Sequence, residues 1–139
     1  MRLDTAPICI VSFNRSEYLS QTLQSIKASI TACGMHGPVV LFQDNSDCPR
    51  SGTLVASVES IQESMEVFRS IFPSGVVFLA PHNLGIANNI YRAERWALED
   101  MAYPVALIFE DDMVISPGYF SIMKQLDAIA ASDRRIGMF

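Results

Sequence analysis

Four short apolar runs divide the chain, and each is followed by polar residues: Ile-Cys-Ile-Val-Ser-Phe at 8–13, Val39–Gln43, Val76–Leu79 and Val-Ala-Leu-Ile-Phe at 105–109. Runs of this length suit strands buried on both faces, as in a parallel sheet with helices above and below. Between them the apolar spacing changes to steps of three and four. Tyr18, Leu19, Thr22, Leu23, Ile26 and Ile30 form one stripe; Leu54, Val58, Ile61, Met65, Phe68 and Phe72 form a second. A third runs through Ile90, Ala93, Ala97, Leu98 and Met101, and a fourth through Tyr119, Phe120, Met123, Leu126 and Ile129. The alternation predicts an α/β domain with a parallel sheet of about four strands and, through right-handed crossovers, helices on both faces. Ligands of such sheets bind outside the carboxyl ends of the strands, where strand order reverses. For the order 3-2-1-4 that point lies between strands one and four. Ser12, Asn14 and Arg15 would then sit beside Asp111 and Asp112, with Asp44 one strand further out.

Local signals punctuate this pattern. Asn14 with Glu17 has capping-box spacing, Gly34 suits a helix C-cap, and Pro73 and Pro104 end helices. Ser116-Pro117 reads as an N-cap and first helical position, and residues 135–139 as the start of another strand. The 139 residues make one domain, half of them apolar, which is enough for a real core. A net charge of −5 argues against a nucleic-acid binder. No run approaches the ~18 consecutive apolar residues of a membrane span, and the first residues lack an apolar signal segment. Cys9, Cys33 and Cys48 are odd in number and without metal-site spacing, which fits a reducing compartment, with the cytoplasm as the expected location.

The chemistry concentrates where the fourth run meets Glu110, Asp111 and Asp112. Three adjacent carboxylates repel one another and lose solvation, so a divalent cation or a cationic partner there explains them; a solvated acidic turn is the plainer alternative. Strand alternation would point Glu110 and Asp112 one way and Asp111 the other. Gly-x-Gly-x-x-Gly, Walker A and Gly-x-Ser-x-Gly sequences are absent, and His36 and His82 lack zinc spacing. The candidate chemistry is therefore oxygen-ligated. Asp112 with Asp111 or Glu110 would hold Mg²⁺ or Mn²⁺, which in turn holds a phosphate and takes up charge as a diphosphate leaves. Asn14 suits a helix cap or a ligand contact, and Arg15 a phosphate contact or a solvated position. Asp44 could accept hydrogen bonds from a base or ribose, or simply serve a turn. Asn83 and Gly85 form a cap and tight turn, or the edge of an anion site at a helix N-terminus.

Taken together, Phe13-Asn14-Arg15-Ser16-Glu17-Tyr18-Leu19, Asp44-Asn45-Ser46, Asn83-Leu84-Gly85-Ile86-Ala87-Asn88-Asn89 and Glu110-Asp111-Asp112, each after a strand, resemble a known family. The order and spacing are similar to the nucleotide-binding half of GT-A-fold, nucleotide-sugar-dependent glycosyltransferases. The Glu-Asp-Asp followed by Ile-Ser-Pro-Gly-Tyr-Phe is similar to the N-acetylglucosaminyltransferase branch. The resemblance covers almost the whole chain. It implies a Rossmann-like GT-A half-domain, a UDP-sugar donor, an acceptor it does not specify, and inverting transfer. By the same resemblance Ser12, Asn14 and Arg15 would line the nucleoside pocket, Asp44 would contact the base, and Asn83 and Asn89 would shape the donor site. Asp112 would be the direct metal ligand, with Asp111 and Glu110 supporting metal, ribose or sugar contacts. Asn88 departs from the pattern, since many relatives carry an arginine there.

In the family the acceptor site and catalytic base lie beyond the fourth strand and its helix. Asp127 and Asp133 do not match that base, which is expected beyond Phe139. The expectation is a donor-binding half, residues 1–139, lacking the C-terminal acceptor-binding part and binding nucleotide without efficient transfer. Its exposed C-terminal sheet edge would invite a homo-oligomer. The readings that compete are a non-catalytic nucleotide-binding or assembly module and a sugar nucleotidyltransferase, whose glycine- and arginine-rich loop after strand one is absent.

Overall fold

The computed structural model describes residues 2–133, 135 and 136. After a 3₁₀ turn (Arg2–Thr5) come β1 (Ile8–Ser12), α1 (Ser16–Cys33) and β2 (Val39–Gln43). Two short strands follow, β3 (Asp47–Cys48) and β4 (Thr53–Leu54), then α2 (Val58–Ile71), β5 (Val76–Leu79) and α3 (Ile86–Arg95). A π-helical turn (Trp96–Asp100) extends α3, and β6 (Leu107–Glu110) and α4 (Tyr119–Ser132) complete the series. The main sheet runs β5-β2-β1-β6 with every pair parallel, so the four long strands take the expected order 3-2-1-4. Strands β3 and β4 form a separate antiparallel hairpin that the sequence pattern did not announce.

Alternation along the strands divides the core in two. Ile8, Ile10 and Leu41 face α1, α2 and α4, packing with Leu19, Leu23, Ile26, Phe68 and Phe120. Cys9, Val11, Val40 and Phe42 face the other way, against Ala93 and Ala97. Small residues on α3 let that helix lie close to the sheet. Each fully buried large side chain in these layers contributes on the order of 1.5–3 kcal/mol. Burial pushes the Cys9 thiol up to about 12, and all three cysteines are free. Trp96 packs with Phe42, Phe78 and Tyr103 at ring distances of 5.6, 5.7 and 6.4 Å.

Several helix ends differ from the sequence reading. The N-cap of α1 is Arg15, with no side-chain cap bond, so Asn14 sits one position too early to cap and remains exposed. Gly34 does end α1, at φ 68°, donating its N–H to the Ile30 carbonyl at 2.9 Å. Leu54 lies in β4 and Phe72 at the α2 C-cap, so the second stripe is shorter than expected; Ser57 caps α2 through the Ser60 N–H at 3.1 Å. Leu98 and Met101 are exposed because the wider π turn rotates them off the α3 stripe.

Helix α4 starts at Tyr119 rather than Pro117, because a hydroxyl from α1 supplies its cap. Ser29 accepts from the Phe120 N–H at 3.2 Å, while Ser116 and Tyr119 close a turn at 3.0 Å. Phe120 and Met123 are buried, but Leu126 and Ile129 are exposed. Asp127 is buried instead, paired with Arg2, and Lys124 meets Asp4 at 2.5 Å. Two ion pairs thus tie the first turn of the chain to α4. The anticipated strand at 135–139 falls mostly outside the described residues; Ile136 closes a turn onto the Asp133 carbonyl at 3.0 Å. Among the described residues no helix is long and apolar enough to cross a membrane.

Candidate functional site

Strands β1 and β6 run in parallel register, Val11 beside Glu110, so the residues after each strand emerge side by side. Asp111 turns inward and is 3% exposed. One of its oxygens takes the Arg15 guanidinium. The other faces the Phe13 N–H at 3.4 Å and the Ser12 hydroxyl at 3.5 Å. Its backbone carbonyl accepts from Thr22 of α1 at 2.9 Å, which fixes the turn after β6. Asp112 points outward, its side chain 44% exposed, and receives the second arm of Arg15 at 3.0 Å. Glu110 is also exposed, but β6 ends there and Asp111 and Asp112 lie in the turn that follows, so strand alternation does not set their directions. One guanidinium therefore bridges two adjacent carboxylates and offsets their repulsion. Asp111 above all, with Asp112, raises the Arg15 pKa in return.

The facing wall comes from the end of β2. Asp44 is 4% exposed, and both its oxygens are occupied by protein donors. One accepts from the Asn45 and Leu84 N–H groups at 2.9 and 2.8 Å, the other from the Gly85 N–H at 3.0 Å and the Asn83 amide at 3.2 Å. Gly85 has φ 76°, which an L side chain adopts only with strain; it aims the chain into α3. Asp44 is thus a resident anion at the threshold of that helix. Asn89 is buried and donates to the Phe42 carbonyl at 2.9 Å, pinning α3 to β2. Arg92 braces it, meeting the Asn89 side-chain oxygen at 3.3 Å and the Phe78 carbonyl at 2.9 Å. At the departing position, Asn88 is exposed and bonds back to the Leu84 carbonyl at 2.9 Å.

Between the walls lies a cavity of about 460 Å³, within the ~300–1,000 Å³ usual for small-ligand clefts. Ser12, Asn14, Arg15, Asp44, Asn83, Asn89, Glu110 and Asp111 all line it. Asp112 is not among the lining residues; it bonds to Arg15, which is. Apolar residues line it as well: Val11 in β1, Phe13 just after it and, on the other wall, Val55, just after β4, and Ile86, the first residue of α3. Val55 and Ile86 are about half exposed. By helical spacing Ile86 continues the Ile90, Ala93 and Ala97 stripe, yet at the start of α3 it is exposed and lines the cavity.

Among the described residues no three His, Cys, Asp or Glu side chains group as a complete metal shell. Hard cations bound with a phosphate substrate usually take only one or two protein carboxylates and fill their shell with phosphate oxygens and water. Exposed Asp112 and Glu110 fit that role, whereas Asp111 is committed to Arg15 and its other donors. The later acids are engaged elsewhere, Asp127 with Arg2 and Asp133 with Arg135 at 2.7 Å; neither lines the cavity.

Comparison with known proteins follows the same outline. The GNT-I family matches residues 1–138. The Arabidopsis thaliana protein named alpha-1,3-mannosyl-glycoprotein 2-beta-N-acetylglucosaminyltransferase is 24% identical over 139 residues, covering 97% of this chain and 30% of the relative. The chain thus spans less than a third of that relative's length. Because the match runs nearly end to end, through every strand and loop that shapes the cavity, the chain belongs to the GNT-I family.

Proposed function

We propose that this chain is the donor-binding part of a metal-dependent glycosyltransferase that takes N-acetylglucosamine from a UDP-sugar and transfers it with inversion. The observation that carries the reading is the convergence of Ser12, Arg15, Asp111 and Asp112 at the reversal point of the sheet, across a cavity from the Asp44–Asn83–Gly85 wall. The choice of sugar follows the name of the plant relative. UDP and inversion follow the motif resemblance.

In this reading the Asp44 wall gives the nucleoside a rigid boundary, and Val55 and Ile86 offer apolar surface to a planar base. Ser12 and Asn14 hydrogen-bond the nucleoside. Arg15 faces the diphosphate, whose oxygens suit the fork of a guanidinium. As the bond to the sugar breaks, negative charge grows on the diphosphate, and a positioned cation stabilises that change. Asp112 with Glu110 would hold Mn²⁺ or Mg²⁺, which supplies Lewis-acid charge when bound. Inverting transfer also needs a carboxylate to take the proton of the acceptor hydroxyl. With Asp127 and Asp133 engaged elsewhere, the reading assigns that base to no residue of this chain and leaves the acceptor undefined.

Calorimetric titration of UDP, with GDP for comparison, in Mn²⁺ and again in EDTA, tests this directly. The expected result is UDP binding that needs both the ion and Asp112, without sugar transfer by residues 1–139 alone. Absence of nucleotide binding would favour a non-catalytic module, and robust metal-dependent transfer by this chain would overturn the assignment of the base. Self-association through the β6 edge belongs to the same reading; a strictly monomeric particle in light scattering at high concentration removes it.

A further inference from the structure

Asp111 and Asp112 are held by the same side chain but not equally. Asp111 is buried and has the Ser12 hydroxyl and Phe13 N–H near its second oxygen. Asp112 is exposed, and its only charged partner among the described residues is Arg15. Arg15 is itself 44% exposed and rests over the Tyr18 ring, 5.7 Å from its centroid, so nothing buries the guanidinium in place. A divalent ion on Asp112 would lie close to the guanidinium already held by one oxygen of that carboxylate, and the repulsion between the two cations sets them in competition for it.

We infer that Arg15 is a stand-in cation: it neutralises the Asp111–Asp112 pair while the cavity is empty, yields Asp112 to the incoming metal, and passes its freed arm to the donor's diphosphate. The inference rests on the donor-site reading above and assigns Arg15 a positioning role in ligand loading. It has a thermodynamic signature. Metal alone must break the Arg15–Asp112 contact with nothing in return, so it binds weakly. When diphosphate is present the displaced guanidinium gains a new partner, so metal and nucleotide bind cooperatively, each raising the affinity for the other by the same factor.

The test is Mn²⁺ affinity measured from the free-ion electron paramagnetic resonance signal, without and then with UDP, for the wild-type chain, Arg15→Met, Arg15→Lys and Arg15→Met/Asp112→Ala. Lysine keeps a charge for buried Asp111 but cannot bridge both carboxylates, so it guards against a variant that fails to fold. Releasing a partly exposed ion pair should raise affinity for Mn²⁺ alone by about two- to fivefold in Arg15→Met and, to a lesser degree, in Arg15→Lys. Adding Asp112→Ala should abolish that gain. The enhancement of Mn²⁺ affinity by UDP should shrink in both single variants. Unchanged or weaker Mn²⁺ binding in folded Arg15→Lys, with UDP binding still metal-dependent, would overturn the stand-in role and leave the donor site standing. No Mn²⁺ and no UDP binding by any of the chains would overturn both.

Discussion

The two walls of the cavity are built from the same kind of group and behave as opposites. On one side Asp44 is buried and receives four N–H donors from its own turn and from the loop that enters α3. On the other, Asp112 is exposed and held by a single, partly exposed guanidinium. A carboxylate surrounded by fixed backbone donors is architecture, because removing it strands several buried groups at once. One that shares an exposed ion pair contributes little to stability and can change partners. Both acids follow strands at the same end of the sheet. The difference lies in what the next segment offers: a tight glycine turn rich in free N–H groups beside Asp44, and the exposed N-terminal turn of α1 beside Asp112.

This contrast can be broken or sharpened by substitution. The largest effect is expected for Asp44→Ala, which should cost about 3–4 kcal/mol in urea unfolding and release the amides of Leu84 and Gly85 to hydrogen exchange. A loss below about 1 kcal/mol would show that the loop holds without its anion. Asn89→Ala, which frees α3 from the Phe42 carbonyl, should cost about 1–2 kcal/mol in the same measurement. Asp112→Ala should leave stability within ~0.5 kcal/mol of the parent, yet weaken UDP binding in Mn²⁺ by about tenfold or more. A large stability loss there would erase the distinction between the walls.

The smallest effect belongs to a pair remote from both. A hydrogen bond from Lys124, the leading cause, holds the Asp4 carboxyl at about 2, below its ordinary 3.8. A depressed carboxyl stabilises the fold above pH 3.8, and that contribution is lost as pH falls through about 2. Asp4→Asn should therefore flatten the acid limb of the unfolding curve between those values. An unchanged limb would mean that the first turn of the chain does not depend on this pair.

The strand order and the meeting of Arg15 with Asp111 and Asp112 were legible because periodicity carries them. Residues such as Ile10 and Leu41 must face one layer while Cys9 and Phe42 face the other, and once the order is 3-2-1-4 the strand ends are placed. Tertiary competition was not legible. Asn14 has the composition of a cap, but the helix begins one residue later than such a cap needs. Ser116-Pro117 has the pattern of a helix start, yet Ser29 on a distant helix supplies the cap and α4 begins at Tyr119. Leu126 and Ile129 matched the apolar period, but the buried place nearby went to Asp127 because Arg2 could neutralise it. The wall formed by Val55 escaped for a similar reason: one valine after a two-residue strand has no period to betray it.

The packing of Trp96 has a use beyond structure. It is the chain's only tryptophan, enclosed by Phe42, Phe78 and Tyr103, and it directly follows the helix whose first turn borders the cavity. Its emission therefore comes from one address, on the far side of the sheet from α1 and Arg15. A ligand that merely exchanges partners with Arg15 should leave that emission unchanged, while one that tilts α3 should shift it. The protein carries its own optical gauge for telling those two events apart.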